Sequence, residues 1–207
     1  MTIYDVTMPI HPNMQVYKNK DEKRPFFTSD SKIENGDASN ELRLSINMHT
    51  GTHLDMPLHM LKDGKNSNSL VLNRLITPVD VYDLTHVSGL ITKNDLVKLN
   101  IKKHASVLFK TKNSFSDDFD FNFVAVAMDA ADYLASLSVN LVGVDGLGIE
   151  RGQQGHPTHK TLMNNDIYIV EGLRLKDIAE GAYMMYALPL KTMETDALLL
   201  SVILTRE

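Results

Sequence analysis

The chain has 207 residues, 43% of them hydrophobic and 23% charged, so residues 1–207 are long enough to bury one substantial core as a single domain. Asp and Glu outnumber Lys and Arg by 26 to 21, which gives a net charge of -5 and argues against binding to a nucleic-acid backbone. No apolar run approaches the roughly 20 residues of a membrane span, so we expect a cytoplasmic protein without membrane partners. The chain lacks cysteine, so any metal must be held by histidines and carboxylates.

The predicted elements begin after a polar segment, residues 18–40, which Pro25 and Gly36 mark as a long connection or a hairpin. Apolar and polar residues then alternate over residues 42–48, the pattern of a half-buried strand. Further strands are predicted at residues 78–84, 106–110, 140–144, 167–170, 183–190 and 197–204. Helices are predicted at residues 94–99, capped by Asn94, and at residues 129–137, capped by Asp129. The strand–helix–strand order from 106 to 144 predicts one βαβ unit within a mixed α/β domain.

Three of the eight histidines and one aspartate follow the strand at 42–48, all at odd-numbered positions: His49, His53, Asp55 and His59. One parity along a strand is one face, so the polar face is predicted to continue as a row of imidazoles and a carboxylate. A straight strand, at about 3.3 Å per residue, would separate His49 and His53 by roughly 13 Å, too far for a shared metal. Gly51 and Pro57 lie where the chain has to bend.

A lone histidine at a strand end would simply face water, but four metal-binding groups on one parity favour a divalent metal. Nitrogen and oxygen donors suit zinc, manganese or iron.

A second group of candidate residues lies in the C-terminal third. Glu171 ends an apolar strand, where a carboxylate is half-buried unless a metal or an imidazolium meets it. His159 lies twelve residues upstream, close enough for a loop or helical turn to fold it back beside Glu171. A surface histidine and a strand-terminal glutamate would explain the same residues, and both interpretations stay open. His156 is interpreted as structural or exposed, and Asp145 as a turn residue that could line the same pocket. The histidines without clustered partners are interpreted as ordinary surface or core residues: His11, His86 and His104.

Residues 49–59 read HTGTHLDMPLH and match the pattern HxGTHxDxPxH at every fixed position. The chain therefore resembles the metal-dependent cyclase family, which includes bacterial kynurenine formamidases and isatin hydrolases. Further matching segments are DVTMPI, DYLASLSVNLVGVD, THKTLMNNDIYIVEGLRL and PLKTMETDALLLSVIL. The resemblance implies a swivelling β/β/α-type fold, a homodimer or higher oligomer, and hydrolysis of a small-molecule amide. It also implies one or two divalent ions per subunit, with zinc preferred and manganese as the alternative.

Carried over by position, the resemblance implies specific roles for the candidate residues. His49, His53 and Asp55 would bind the first metal, and His59 would be the catalytic acid/base. The remaining pair, His159 and Glu171, would bind a second metal in members that use two, with Asp55 bridging.

Two segments depart from the family pattern, and both concern the expected substrate pocket. Kynurenine formamidases carry Trp-Pro-Gly-Asp after the opening strand, whereas this chain has no tryptophan and reads Tyr17-Lys-Asn-Lys there. A serine often follows the VD strand in the family, where this chain reads Gly146-Leu-Gly148. Two alternatives to a hydrolase stay open: a metal-dependent cyclase, isomerase or lyase acting on another small metabolite, and a metal-binding protein without turnover.

Overall fold

A computed structural model describes residues 1–206 of the protein. The strands are β1 (Thr2–Asp5), β2 (Phe26–Ser31), β3 (Glu41–Ser45), β4 (His53–Asp55), β5 (Ile76–Asp83), β6 (Leu90–Ile91), β7 (Ser106–Lys110), β8 (Ala125–Val126), β9 (Leu141–Val144), β10 (Tyr168–Glu171), β11 (Gly181–Pro189) and β12 (Ala197–Arg206). The α-helices are α1 (Lys93–Val97), α2 (Met128–Ser136) and α3 (Pro157–Asn164). None of the helices in this range has the length and apolar character needed to cross a membrane.

Seven strands close into a barrel in the order β4-β10-β9-β7-β5-β11-β12. The ring closes because β12 is ten residues long and pairs with two different strands along one of its edges. Its first residues pair with β4, while its last residues pair with β1 on the same edge. The prediction of a mixed α/β domain is confirmed; the swivelling β/β/α type stays a prediction.

The barrel separates two hydrophobic cores because its strands are apolar on both faces. On β7, Leu108 points into the barrel, while Val107 and Phe109 point outward into the layer formed by the helices. On β9, Leu141 likewise points into the barrel and Val142 points outward. The helices cover the outer layer with small and branched residues of α2 and α3: Ala130, Ala131, Leu134 and Leu162.

Six of the predicted strands are present with ends shifted by two residues at most: β5, β7, β9, β10, β11 and β12. The predicted βαβ unit is also confirmed, since β7 and β9 are parallel neighbours with α2 between them in sequence. The segment 18–40 contains the first strand of an antiparallel hairpin, formed by β2 and β3.

The predicted half-buried strand at residues 42–48 is wrong in two respects. The strand ends at Ser45, and every residue of β3 is exposed because it pairs with β2 in a separate two-stranded arm, away from the barrel.

Both predicted helix caps are also wrong. Thr92 caps α1 in a reciprocal pair with Asp95, and α2 begins after Ala127 without a side-chain cap. The Asp129 carboxylate accepts a hydrogen bond from the Lys93 backbone N–H instead.

Candidate metal centre

The sheet register brings two of the predicted ligands together with Glu171. Strand β4 lies between β10 and β12, and His53 is directly opposite Glu171. Successive side chains of a strand point to opposite faces, so Leu54 enters the barrel core while His53 and Asp55 lie on the outer face. On β10, Val170 likewise enters the barrel core, while Glu171 lies on the outer face. The predicted separation of polar and apolar faces along this segment is thus present in β4.

Helix α3 covers this outer face of the barrel and carries His159 in its first turn. The helix packs against β10, so the His159 ring meets Glu171 from above the sheet. Glu150 accepts hydrogen bonds from the Thr158 and His159 backbone N–H groups at 2.7 and 3.3 Å and thereby holds the helix N-terminus. Of the alternatives for His159, a helical turn that folds back beside Glu171 is therefore present.

Two glycines allow the segments that carry the ligands to cross. Gly51 has φ +71°, so the chain turns between His49 and β4, as the sequence required. Gly172, which follows Glu171, also has φ +71°, and a Cβ atom there would lie 2.2 Å from the Gly51 carbonyl oxygen. The Thr52 hydroxyl donates to the Gly172 carbonyl at 2.7 Å and fixes this crossing.

The donor atoms form two groups that share the same two carboxylates. In one group, His53 Nε2 lies 3.4 Å from Asp55 Oδ1 and 3.5 Å from Glu171 Oε2, and His49 Nδ1 lies 2.9 Å from the same Asp55 oxygen. In the other group, His159 Nε2 lies 3.5 Å from both Asp55 Oδ2 and Glu171 Oε1. Each carboxylate therefore turns one oxygen toward His53 and the other toward His159.

These donor atoms fit a divalent cation better than they fit one another. Two ligands held about 2.1 Å from one tetrahedral ion lie roughly 3.4 Å apart, close to the separations above. Three buried atoms make no hydrogen bond: His53 Nε2, Asp55 Oδ1 and His159 Nδ1. The nearby nitrogens are thus not aligned for hydrogen bonding to Asp55 Oδ1, as expected for atoms that point to a common centre. Unpartnered buried polar atoms are costly, and an ion would satisfy the first two.

In His49, His53 and His159, the ring nitrogen that does not face the shared carboxylates faces another oxygen. His49 Nε2 lies 3.0 Å from Asp196 Oδ2, and His53 Nδ1 lies 3.0 Å from the Gly51 carbonyl. His159 Nδ1 faces Glu150 Oε1 at 3.3 Å. Such contacts fix the ring orientation and the tautomer of a metal-binding histidine.

Sequence reasoning missed Asp196 and Glu150. Asp196 directly precedes the apolar strand β12, opposite β4, and the argument applied to Glu171 as a carboxylate at a strand end would have identified it. Glu150 follows no such strand, and its proximity to His159 depends on the fold.

His59 lies in a helical turn, Pro57–His59, with its ring centroid 3.9 Å from that of His49. Its side chain is 26% exposed, against 1% for His53, so it is the more accessible group. Burial is the largest influence on the pKa of His59 and lowers it, and His49 and His159 act in the same direction while the charge of Asp55 opposes them. The ring is therefore neutral at pH 7 and able to accept a proton.

The site is rich in negatively charged carboxylates. Four carboxylates belong to it: Asp55, Glu150, Glu171 and Asp196. Among the described residues, their only ion-pair contacts are with histidines. Burial alone would lower the pKa of His49, but the nearby carboxylates of Asp55 and then Asp196 raise it to about 9. Burial also lowers the pKa of His159, yet the surrounding carboxylates of Asp55, Glu150 and Glu171 raise it well above the usual value. Without a metal, protons on these imidazoles supply the positive charge.

The remaining sequence candidates are placed as follows. His156 occupies the N-cap position of α3 without a side-chain capping hydrogen bond. It lies 2.6 Å from Glu150 and has a 55% exposed side chain, in line with a structural or exposed residue. Asp145 does not line the pocket with the ligands. It is buried and accepts hydrogen bonds from Thr111 and Ser114, so it organises a loop and is more than a plain turn residue. The other histidines lie at exposed positions: His11, His86 and His104.

A cavity of about 370 Å³ opens over the donor atoms. His59, His159 and Glu171 line it, together with the two segments that depart from the family pattern, at Tyr17 and Gly148. These two positions adjoin, because a Cβ atom on Gly148 would lie 3.4 Å from the Tyr17 ring. The volume suits a small organic molecule.

Comparisons with known proteins show which family the chain is similar to. The model of the Cyclase family ("Putative cyclase") matches residues 4–151. Kynurenine formamidase of Erythrobacter litoralis is 32% identical over 197 residues, which cover 94% of this chain and 89% of that protein. A solved structure described as a potential metal-dependent hydrolase with cyclase activity is 51% identical, with a TM-score of 0.93 over 100% of this chain and 98% of the other.

Isatin hydrolase A from Labrenzia aggregata shares the fold, with a TM-score of 0.85 at 22% identity over 98% of this chain and 93% of its own. The family model covers well over half of the sequence, and the formamidase is similar over nearly all of it. The chain therefore belongs to the cyclase family, the family that its HTGTHLDMPLH segment resembles.

Proposed function

We propose that residues 1–207 form one metal-dependent hydrolase domain that cleaves a small-molecule amide bond outside peptides, as an arylformamidase does. The observation that carries this proposal is the set of donors around Asp55 and Glu171, which lies at the base of a cavity with the neutral His59 beside it. The kinship with a kynurenine formamidase of similar length supports the same bond type.

The two groups of donor atoms support the ligand roles that the family resemblance implies. His49, His53 and Asp55 would hold one ion, and His159 and Glu171, with Asp55 shared, would hold a second. Zinc is the preferred ion because the donors are nitrogen and carboxylate oxygen at near-tetrahedral separations, and manganese is the alternative. When bound, such an ion lowers the pKa of water toward neutrality and polarises the carbonyl of the substrate.

His59 would transfer a proton from the attacking water to the departing nitrogen. Its Nδ1 atom faces Asp196 Oδ2 at 3.6 Å, which favours the proton on Nδ1 and leaves Nε2 free to accept one from the attacking water. The protonated ring can then pass a proton to the departing nitrogen. A donor atom of His59 also lies within 4.8 Å of those of His49 and Asp55, so the distance alone would permit a ligand role. The metal content of a His59 variant distinguishes the two roles.

We also propose a homo-oligomer, most simply a dimer. The arm formed by β2 and β3 exposes large apolar side chains, with Phe26 65%, Leu42 74% and Leu44 43% accessible. An isolated two-stranded hairpin is only marginally stable, so a partner surface that covers the face with Leu42 and Leu44 would stabilise it. Light scattering should show more than one chain per particle at micromolar concentration, and a monomer would contradict the proposal.

The function is tested by loading the metal-free protein with zinc or manganese and offering it N-formyl anilines, isatins, cyclic imides and lactones. We expect metal-dependent hydrolysis of the formyl anilines, with full activity in the surface variant His11→Gln and little in His59→Gln. The absence of turnover on every compound, in protein with a stoichiometric metal content, would refute the hydrolase. Turnover confined to lactones would refute the amide preference.

A further inference from the structure

Two lysines line the cavity beside the metal donors. Lys18 and Lys23 both reach it, and their Nζ atoms lie 5.2 and 5.5 Å from the centroid of the Tyr17 ring. The ring itself is held edge-on by Phe119 and Phe123, with centroids 5.6 and 6.4 Å away. The two ammonium groups therefore flank one fixed aromatic side chain at the cavity wall.

The loop that carries these lysines is anchored at several points. The Thr50 hydroxyl, next to His49, donates to the Lys23 carbonyl at 2.8 Å, and Arg24 donates to the Met14 carbonyl at 2.7 Å. Lys18 and Asn19 both have left-handed backbone angles, with φ 58° and 51°. These angles turn the chain directly after Tyr17.

The two lysines also lack a carboxylate partner. Among the described residues, four other lysines lie within 4 Å of a carboxylate: Lys20, Lys32, Lys110 and Lys112. Neither Lys18 nor Lys23 does, and the cavity carboxylates Glu150 and Glu171 face histidines instead. Two lysines of the cavity wall are thus not engaged in an ion pair, in a protein with a net charge of -5.

We propose that the substrate carries an anionic group, such as a carboxylate, and that Lys18 and Lys23 bind it beside Tyr17. This inference rests on the proposed hydrolase function and adds the substrate class, an amide that bears a negative charge. Ammonium groups at the cavity wall attract an anion over a distance of several ångströms and hold it without ligating the metal. Because both side chains keep contact with water, each contributes modestly, and we expect roughly a tenfold preference from the pair.

The test compares the metal-loaded protein on an N-formylated aminobenzoate and on its uncharged methyl ester. The double variant Lys18→Gln/Lys23→Gln should retain its metal and lose roughly tenfold in kcat/KM on the charged compound, mainly through KM, with little change on the ester. Lys20→Gln is the matched control, since Lys20 belongs to the same loop but pairs with Glu22 at 3.3 Å. It should behave as the wild type does. An equal loss on both compounds, or no preference for the charged compound in the wild type, would overturn the proposal.

A binding measurement separates this proposal from the hydrolase itself. Calorimetry with aminobenzenesulfonate and the corresponding uncharged methyl sulfone requires no turnover, and both compounds are weak metal ligands. Tighter binding of the sulfonate, lost in the double variant and at high salt, would support the lysine site even if neither amide were hydrolysed. Equal binding of the two compounds would reject it, whatever the activity.

Discussion

Metal removal should make the stability of the protein fall as the pH rises from about 6.5 to about 9. In the metal-free protein, His49 is held between Asp55 and Asp196, and its pKa is raised from 6.5 to about 9. A group whose pKa is higher in the folded chain stabilises the fold fully below its unfolded pKa, and this stabilisation is lost as the pH passes the folded value. The His159 shift has the same direction and adds to the effect.

The magnitude follows from the difference between the two pKa values of His49. A change from 6.5 to about 9 corresponds to a loss of at most about 3 kcal/mol in the free energy of unfolding. For a domain of this size, that loss lowers Tm by roughly 6–12 °C. With the metal bound, the ion replaces these protons and the decline should disappear, because metal affinity rises as the imidazoles lose their protons.

The assay is thermal unfolding of chelator-treated and metal-loaded protein at pH values between 6.5 and 9. The His49→Gln variant, in metal-free form, should lose much of the dependence on pH, whereas His11→Gln should keep it because His11 is exposed. A metal-free Tm that is constant or rises over this range would refute the reasoning. An unchanged slope in His49→Gln would assign the effect to other groups.

Three further predictions concern single residues of the site. His53→Gln should lose the metal, whereas His59→Gln should keep it and lose kcat by roughly 10²–10⁴, so metal analysis beside kinetics decides whether His59 is a ligand. Glu150→Gln should weaken metal affinity roughly 10–100-fold in chelator competition because it orients His159, while the exposed Glu194→Gln should not. Gly172→Ala should destabilise the fold by at least ~2 kcal/mol in denaturant unfolding. Gly89→Ala, at φ +83° with nothing within 4 Å, measures the backbone cost alone.

The sequence predicted the features that depend on local periodicity. Side chains alternate across a strand, so the apolar Leu54 between His53 and Asp55 was enough to place the two polar groups on one face. Both ends of β7 were also predicted correctly, because a strand that is buried on both faces is a continuous apolar run bounded by polar residues. The bend at Gly51 followed from distance alone, because two imidazoles in an extended chain cannot meet.

Features that depend on long-range pairing were not predictable in the same way. Strand β4 has three residues, too few for a pattern, and only its pairing with β10 and β12 shows that it closes the barrel. The alternation in β3 predicted a buried face, but a period of two does not say which surface covers that face. Within one chain, nothing covers it. Glu150 meets His159 only because α3 folds back over the sheet.

The closure of the barrel and the candidate metal centre depend on the same three residues of β4. A strand this short contributes few backbone hydrogen bonds, so the seam between β10 and β12 is a weak part of the ring. His53 and Asp55 face donors on β10 and α3, and an ion bound there would join the seam to both elements. Its binding free energy would then stabilise the folded state directly. Protons on His49 and His159 substitute for the ion only while the pH stays below their raised pKa values. Metal content, pH and the integrity of the barrel should therefore change together.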